Sequence, residues 1–103
     1  MIRVIVTYGP PQDRAAFDAH YKSTHTPLTT AMPHLASFEV SQTDVTTSDE
    51  ANPVYLTAIL SFQSQADMEA SMASPEGQAA VDDLANFATG GVTVLTVDMN
   101  KHL

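Results

Sequence analysis

Hydrophobic and polar positions alternate with a period of two in four separate stretches of the chain. Ile2, Val4, Val6 and Tyr8 fall on one side of the first, against Arg3, Ile5 and Thr7, in β-branched residues that suit a strand. Gly9-Pro10-Pro11 stops it, since proline offers no ladder donor. Leu35 to Gln42 alternates again, with Ala36, Phe38 and Val40 opposing Ser37, Glu39 and Ser41. Thr43 to Pro53 is polar, acidic and proline-ended, and reads as a long solvated loop. In Val54 to Phe62, Val54, Leu56, Ala58, Leu60 and Phe62 face one way and Tyr55, Thr57, Ile59 and Ser61 the other. Val92 to Met99 is the last strand, entered through Gly90-Gly91.

Helical spacing fills the gaps. Asp13 is an N-cap for a segment reaching about Ser23, in which Phe17 and Tyr21 stand at i and i+4 with Ala16 and His20 beside them. Pro27 is expected to end it. Ser64-Gln65-Ala66-Asp67 resembles a capping box and opens a helix carrying Met68 and Met72, most simply core residues. Ser74-Pro75-Glu76 restarts helical structure, and Ala80, Leu84 and Phe87 recur at i, i+4 and i+7.

The order is β-α-β-β-α-β, the split pattern of ferredoxin-like α+β folds with a four-stranded antiparallel sheet. Right-handed crossovers place both helical regions on one face. The other face, carrying Ile5, Ile59 and Tyr55 or their opposite-face neighbours, is too apolar for water alone. Two copies packed through it would form a dimeric α+β barrel and enclose a chamber. Length supports this, because 103 residues make one domain over residues 1–103 that buries roughly 65 % of its unfolded surface and has little packing to spare for an internal cavity.

Charge narrows the partners. Four Lys and Arg against twelve Asp and Glu give a net charge of -8, which excludes nucleic acid and anionic membranes as partners. Without cysteine there is no disulfide, thiol catalysis or cysteine-bound metal. No apolar run approaches the ~18–20 residues of a membrane span, and the Met1-Ile2-Arg3-Val4 start does not read as a signal peptide. The expectation is a cytoplasmic domain.

The densest chemistry lies in Phe17 to Leu28, where His20, Tyr21, Lys22 and His25 gather at the end of the first helix. A histidine there suits general acid–base work. The bland alternative, that His25 bonds a carbonyl at the helix C-terminus, carries more weight on composition alone. His20 and Tyr21 read first as half-buried packing residues, and His34 as an exposed loop residue. Zinc is not expected, because His20 and His25 are five apart rather than the four that align two ligands on one α-helical face. Asp82 and Asp83 are assigned to the solvated outer face of the second helical region. Arg3 either anchors an anionic substrate or pairs across the sheet with Glu39 or Asp98, and the pairing is favoured.

Tyr8-Gly9-Pro10, then Phe17 with His20-Tyr21 and His25-Thr26-Pro27-Leu28, resembles the EthD-like family of dimeric α/β-barrel proteins, named for ethyl tert-butyl ether degradation. Ala73-Ser74-Pro75-Glu76-Gly77-Gln78-Ala79, Asp83-Leu84-Ala85-Asn86-Phe87 and Gly90-Gly91-Val92 extend the likeness to nearly the whole chain. The resemblance implies a ferredoxin-like protomer and a homodimer formed face to face. It implies His25 as the motif histidine, Tyr21 as the aromatic before it, and His20 where an aromatic or histidine is common. Asn86 and Phe87 would shape the barrel end, joining Arg3 and Tyr55 as candidate substrate-binding residues. The wider superfamily includes isomerases, cyclases, cofactor-independent monooxygenases and haem-degrading enzymes. The absence of cysteine and tryptophan departs from some of these. Three readings follow: a cofactor-independent enzyme acting on a small apolar molecule, a ligand-binding accessory protein of a degradation pathway, and a structural dimer without a pocket. None of them requires a metal or cofactor.

Overall fold

A computed structural model describes residues 1–103. Its strands are β1 (Ile2–Tyr8), β2 (Ser37–Val40), β3 (Leu56–Phe62) and β4 (Val92–Asp98). Helices α1 (Arg14–His20) and α2 (Thr26–Thr30) are joined without a break by a π-helical turn (Tyr21–His25), and α3 (Gln65–Ala73) is followed by α4 (Pro75–Phe87). The sheet order is β2-β3-β1-β4, antiparallel throughout. No helix is long and apolar enough to cross a membrane.

The period-two reading holds inside the ladders. Ile2, Val4, Val6 and Tyr8 are buried beneath the helices with Ala58, Leu60 and Phe62. On the other face Ile5 pairs with Ile59 on one side and Leu95 on the other, an apolar row across three strands. Leu95 remains 55 % exposed in the single chain. β2 is shorter than the alternation suggests, although Ala36 and Ser41 N–H groups still donate to Ser61 and Thr57 carbonyls at either end.

Tyr55 corrects one assignment. It precedes β3, where strict alternation no longer governs direction, and it packs on the helical side. Its ring meets Phe17 edge-on at 5.1 Å, its hydroxyl donates to Asp18 Oδ1 at 2.8 Å, and the Arg14 guanidinium stands 5.3 Å from the ring centre.

The first helical region also runs further than expected. Asp13 caps it, accepting from the Ala16 N–H at 3.0 Å. Pro27 does not stop it. The Thr26 N–H donates to the Tyr21 carbonyl, an i→i+5 bond, and the wider π turn leaves room for the proline ring within the first turn of α2. Between α3 and α4, Ser74 is extended and its hydroxyl caps α4 at the Gly77 N–H (3.0 Å). Gly77 must be glycine, because a Cβ there would lie 2.1 Å from the Ser71 carbonyl oxygen. That close approach packs the start of α4 against the end of α3.

Candidate functional site

The π turn decides the geometry of the site. A π-helix takes more than four residues per turn, so side chains five apart come to one side. His20 and His25, misaligned on an α-helix, therefore both reach Asp83 on α4. His20 Nε2 lies 2.8 and 3.1 Å from the two carboxylate oxygens, and His25 Nδ1 lies 2.9 Å from Oδ2. Asn86 Nδ2 donates to Oδ1 at 3.0 Å.

Asp83 is thus no solvated surface acid. It is 6 % exposed and falls on the buried stripe of α4 with Gly77, Ala80 and Phe87. The signal was present in the spacing, since Asp83 stands three residues after Ala80 and four before Phe87. Reading aspartate as polar hid it. Nor is His25 bonded to a backbone carbonyl, the favoured alternative for its role.

Electrostatics follow from this burial. Burial alone would raise the Asp83 carboxyl, but hydrogen bonds from Asn86, His20 and His25 outweigh it and hold the group below its ordinary 3.8. Burial lowers His25 below 6.5, and Asp83 only partly opposes that. At neutral pH the pair is an anionic carboxylate beside a neutral imidazole. The carboxylate fixes the proton on Nδ1 and leaves Nε2 as an acceptor. Nε2 faces the Tyr8 hydroxyl at a loose 3.5 Å. Burial raises the phenols of both Tyr8 and Tyr21, Tyr21 to about 12, so each keeps its O–H.

Tyr8, Tyr21 and His25 line a cavity of about 60 Å³ between the sheet and the helices of one chain. Its other walls are mainly aliphatic, including Val4, Val6, Leu60, Met72 and Leu84. Val81 and Val94, 44 % and 48 % exposed, flank an opening between α4 and the edge strand β4. This cavity lies inside the protomer, on the helical side of the sheet, and is distinct from any chamber that two facing sheets would enclose.

The remaining candidates lie elsewhere. Arg3 projects from the opposite sheet face and donates to Ser61 Oγ at 2.8 Å, in place of the expected pairing with Glu39 or Asp98. Asp98 lies 3.5 Å from the N-terminal amine instead. Asn86 bonds Asp83, and Phe87 lies under the imidazoles, its ring centre 5.2 Å from that of His20 and 4.7 Å from that of His25. Neither lines the cavity beside Tyr21 and His25, but both border, with His20, a separate cleft of about 250 Å³. Tyr8 was missed because it completes an apolar strand face, where a tyrosine reads as core.

A pH profile of stability follows. Unfolded His25 takes up a proton near 6.5 and the folded residue only below that, so stability falls as pH drops below about 6.5. The Asp83 contribution is present above 3.8 and is lost as pH falls through its lower folded value. Raised phenols act in the opposite direction, and stability declines again as pH rises above 10. Urea midpoints across this range should show a plateau from about pH 7 to 9. The first acid decline should vanish in His25→Gln, and its persistence there would assign it to another group.

An antiparallel ferredoxin-like sheet, a carboxylate–histidine pair and an apolar cavity on the helical side characterise this α+β protein. Residues 9–91 match the EthD domain, and the chain belongs to the EthD family. It is 46 % identical over 100 residues to an uncharacterised 11.0 kDa protein of the thcB-thcC intergenic region of Rhodococcus erythropolis, covering 95 % of this chain and 94 % of that one. An ethyl tert-butyl ether degradation (EthD) family protein from Bacillus halodurans superposes with a TM-score of 0.84 at 29 % identity, covering 97 % of this chain and 99 % of that one. The hydroxynitrile lyase of Passiflora edulis shares the fold, with a TM-score of 0.77 at 19 % identity, covering 99 % and 95 %.

Proposed function

We propose that this EthD-family chain is a cofactor-independent acid–base catalyst for a small apolar organic compound, with His25 moving the proton. The observation that carries the reading is the Asp83–His25 bond (2.9 Å) behind an imidazole whose Nε2 is only loosely held at the cavity wall. A neutral imidazole oriented by a carboxylate is a competent base near neutral pH. Tyr8 and Tyr21 supply O–H donors beside it, and Asp83 stabilises the imidazolium once a proton arrives. Asp83 and Asn86 position the base without reaching the cavity. Isomerisation and cyclisation ask only for such proton transfers, whereas oxygenation would require dioxygen as co-substrate. The accessory-protein reading predicts a histidine fully bonded to protein groups, and both ring nitrogens of His25 do have protein partners, but the long 3.5 Å contact at Nε2 is one that a substrate can displace.

Deuterium exchange of a panel of small C–H acids, ketones and lactones among them, tests the proposal in D2O. The wild type should accelerate exchange of at least one, and His25→Gln should lose about 10²–10⁴-fold of that acceleration. No acceleration across the panel would sink the reading.

The homodimer belongs to the same proposal. The Ile59–Ile5–Leu95 row is supported by no element of its own chain, and a second copy would bury it. Sedimentation should report twice 11.0 kDa, and a persistent monomer would rule this out.

A further inference from the structure

Within the cavity one buried group stands without a partner. The Tyr21 hydroxyl has no partner at hydrogen-bonding distance and angle, the nearby Tyr8 hydroxyl being turned to His25 instead, although the residue is only 6 % exposed and lines the cavity. Buried polar groups are rarely left so, because each costs about 1–3 kcal/mol. Of the other polar side chains in the wall, those of Tyr8 and His25 face one another, and Thr29 adds a hydroxyl. Tyr21 therefore has a donor to offer an incoming molecule, and its raised phenol keeps that donor protonated.

The charge of the surroundings narrows the choice. No Lys, Arg, Asp or Glu lines the cavity. The closest ionised group on the His25 side is the Asp83 carboxylate, held against Nδ1. An anionic ligand would shed its water for aliphatic walls, meet no cation, and lie near a fixed negative charge in a chain of net charge -8. A cation would find no carboxylate in the wall either. The opening between Val81 and Val94 is apolar.

We infer that the cavity takes an uncharged carbonyl compound, an aldehyde, ketone or lactone, whose oxygen accepts from the Tyr21 hydroxyl while its apolar remainder extends between Val81 and Val94, and that it rejects carboxylates. The choice of a carbonyl over other neutral acceptors rests on the proton-transfer reading of His25. With such a ligand, Nε2 takes the proton from the carbon next to the carbonyl. The C–H bond breaks, its electron pair becomes the carbon–carbon double bond of an enolate, and the negative charge passes to the oxygen held by Tyr21. Return of the proton from the imidazolium balances the cycle.

Cyclopentanone and butyrate, of equal heavy-atom count but different charge, separate the possibilities. Cyclopentanone should bind saturably by NMR titration, with its carbonyl stretch at lower frequency than in hydrocarbon solvent, while butyrate should not bind. In Tyr21→Phe the affinity should fall about tenfold and the band should return toward the hydrocarbon value. That variant should melt no lower than the wild type, since it deletes a hydroxyl without a protein partner. Butyrate binding of equal strength, a band unmoved by Tyr21→Phe, a lower melting temperature for that variant, or no ketone binding would each overturn the inference. Its fate separates from that of the catalytic reading. A Tyr21-dependent band without exchange of the ketone's α-protons leaves the carbonyl site standing and removes the catalyst. His25-dependent exchange with a Tyr21-independent band does the reverse.

Discussion

Asp83→Ala should lower stability by about 3 kcal/mol and the melting temperature by roughly 10–25 °C. The carboxylate accepts from His20, His25 and Asn86 at 2.8–3.1 Å. Alanine leaves these donors without their acceptor, and the His25 side chain is only 7 % exposed, so water cannot readily replace it. Asp83→Asn separates structure from chemistry. Its carbonyl can still accept from one imidazole, so the fold should suffer less. Its amide, however, can donate to Nδ1, which moves the imidazole proton to Nε2 and removes the base. Exchange activity should then fall about 10²–10⁴-fold, with the tautomer change visible in imidazole ¹⁵N shifts. A stable Asp83→Ala variant, within about 0.5 kcal/mol of wild type, would show that the shared carboxylate is not a structural hub.

That hub marks where the sequence stopped being legible. The strands could be read because a period of two is dictated by the pleat, and Val4 and Ile5 have no choice but opposite faces. The caps at Asp13, Ser64 and Ser74 were legible for a similar reason, each answering a local shortage of acceptors at a helix start. The π turn was not, because it depends on an i→i+5 bond that tertiary packing selects and no residue type announces. Mistaking Pro27 for a terminator and assuming the α-helical pitch were the same error, and together they kept His20 and His25 apart. Asp83 was lost to the habit of placing carboxylates in water, although its position among Ala80 and Phe87 placed it inward. Arg3 and Tyr55 failed differently. Arg3 was correctly assigned to the open face, but Ser61, its direct cross-strand neighbour, outcompetes the acids for its guanidinium. Tyr55 stands just outside the ladder, where alternation has no authority.

Phe87→Ala is expected to remove about 3–5 kcal/mol, a large share of the roughly 5–15 kcal/mol that holds a small domain together. The ring is 4 % exposed and lies at the junction of both halves of the site. Its centre is 5.6 Å from that of Tyr8, 5.1 Å from Phe17 and 5.7 Å from Tyr21, besides its contacts with both imidazoles. Truncation would open a void that the rigid sheet on one side and the π turn on the other cannot close. The resemblance had Phe87 shaping a binding surface, and the two roles diverge in experiment. A residue that only touches substrate moves binding and leaves the unfolding free energy alone. A residue packed beneath the dyad lowers stability and also relaxes the burial that depresses His25, because water reaches the imidazole through the gap. The His25 titration should therefore move up toward 6.5 in Phe87→Ala, followed by NMR under conditions where the variant remains folded. An unchanged melting temperature with weakened ligand binding would return Phe87 to the cavity wall. A lower melting temperature with an upward-shifted His25 would identify it as the residue that keeps the base dry.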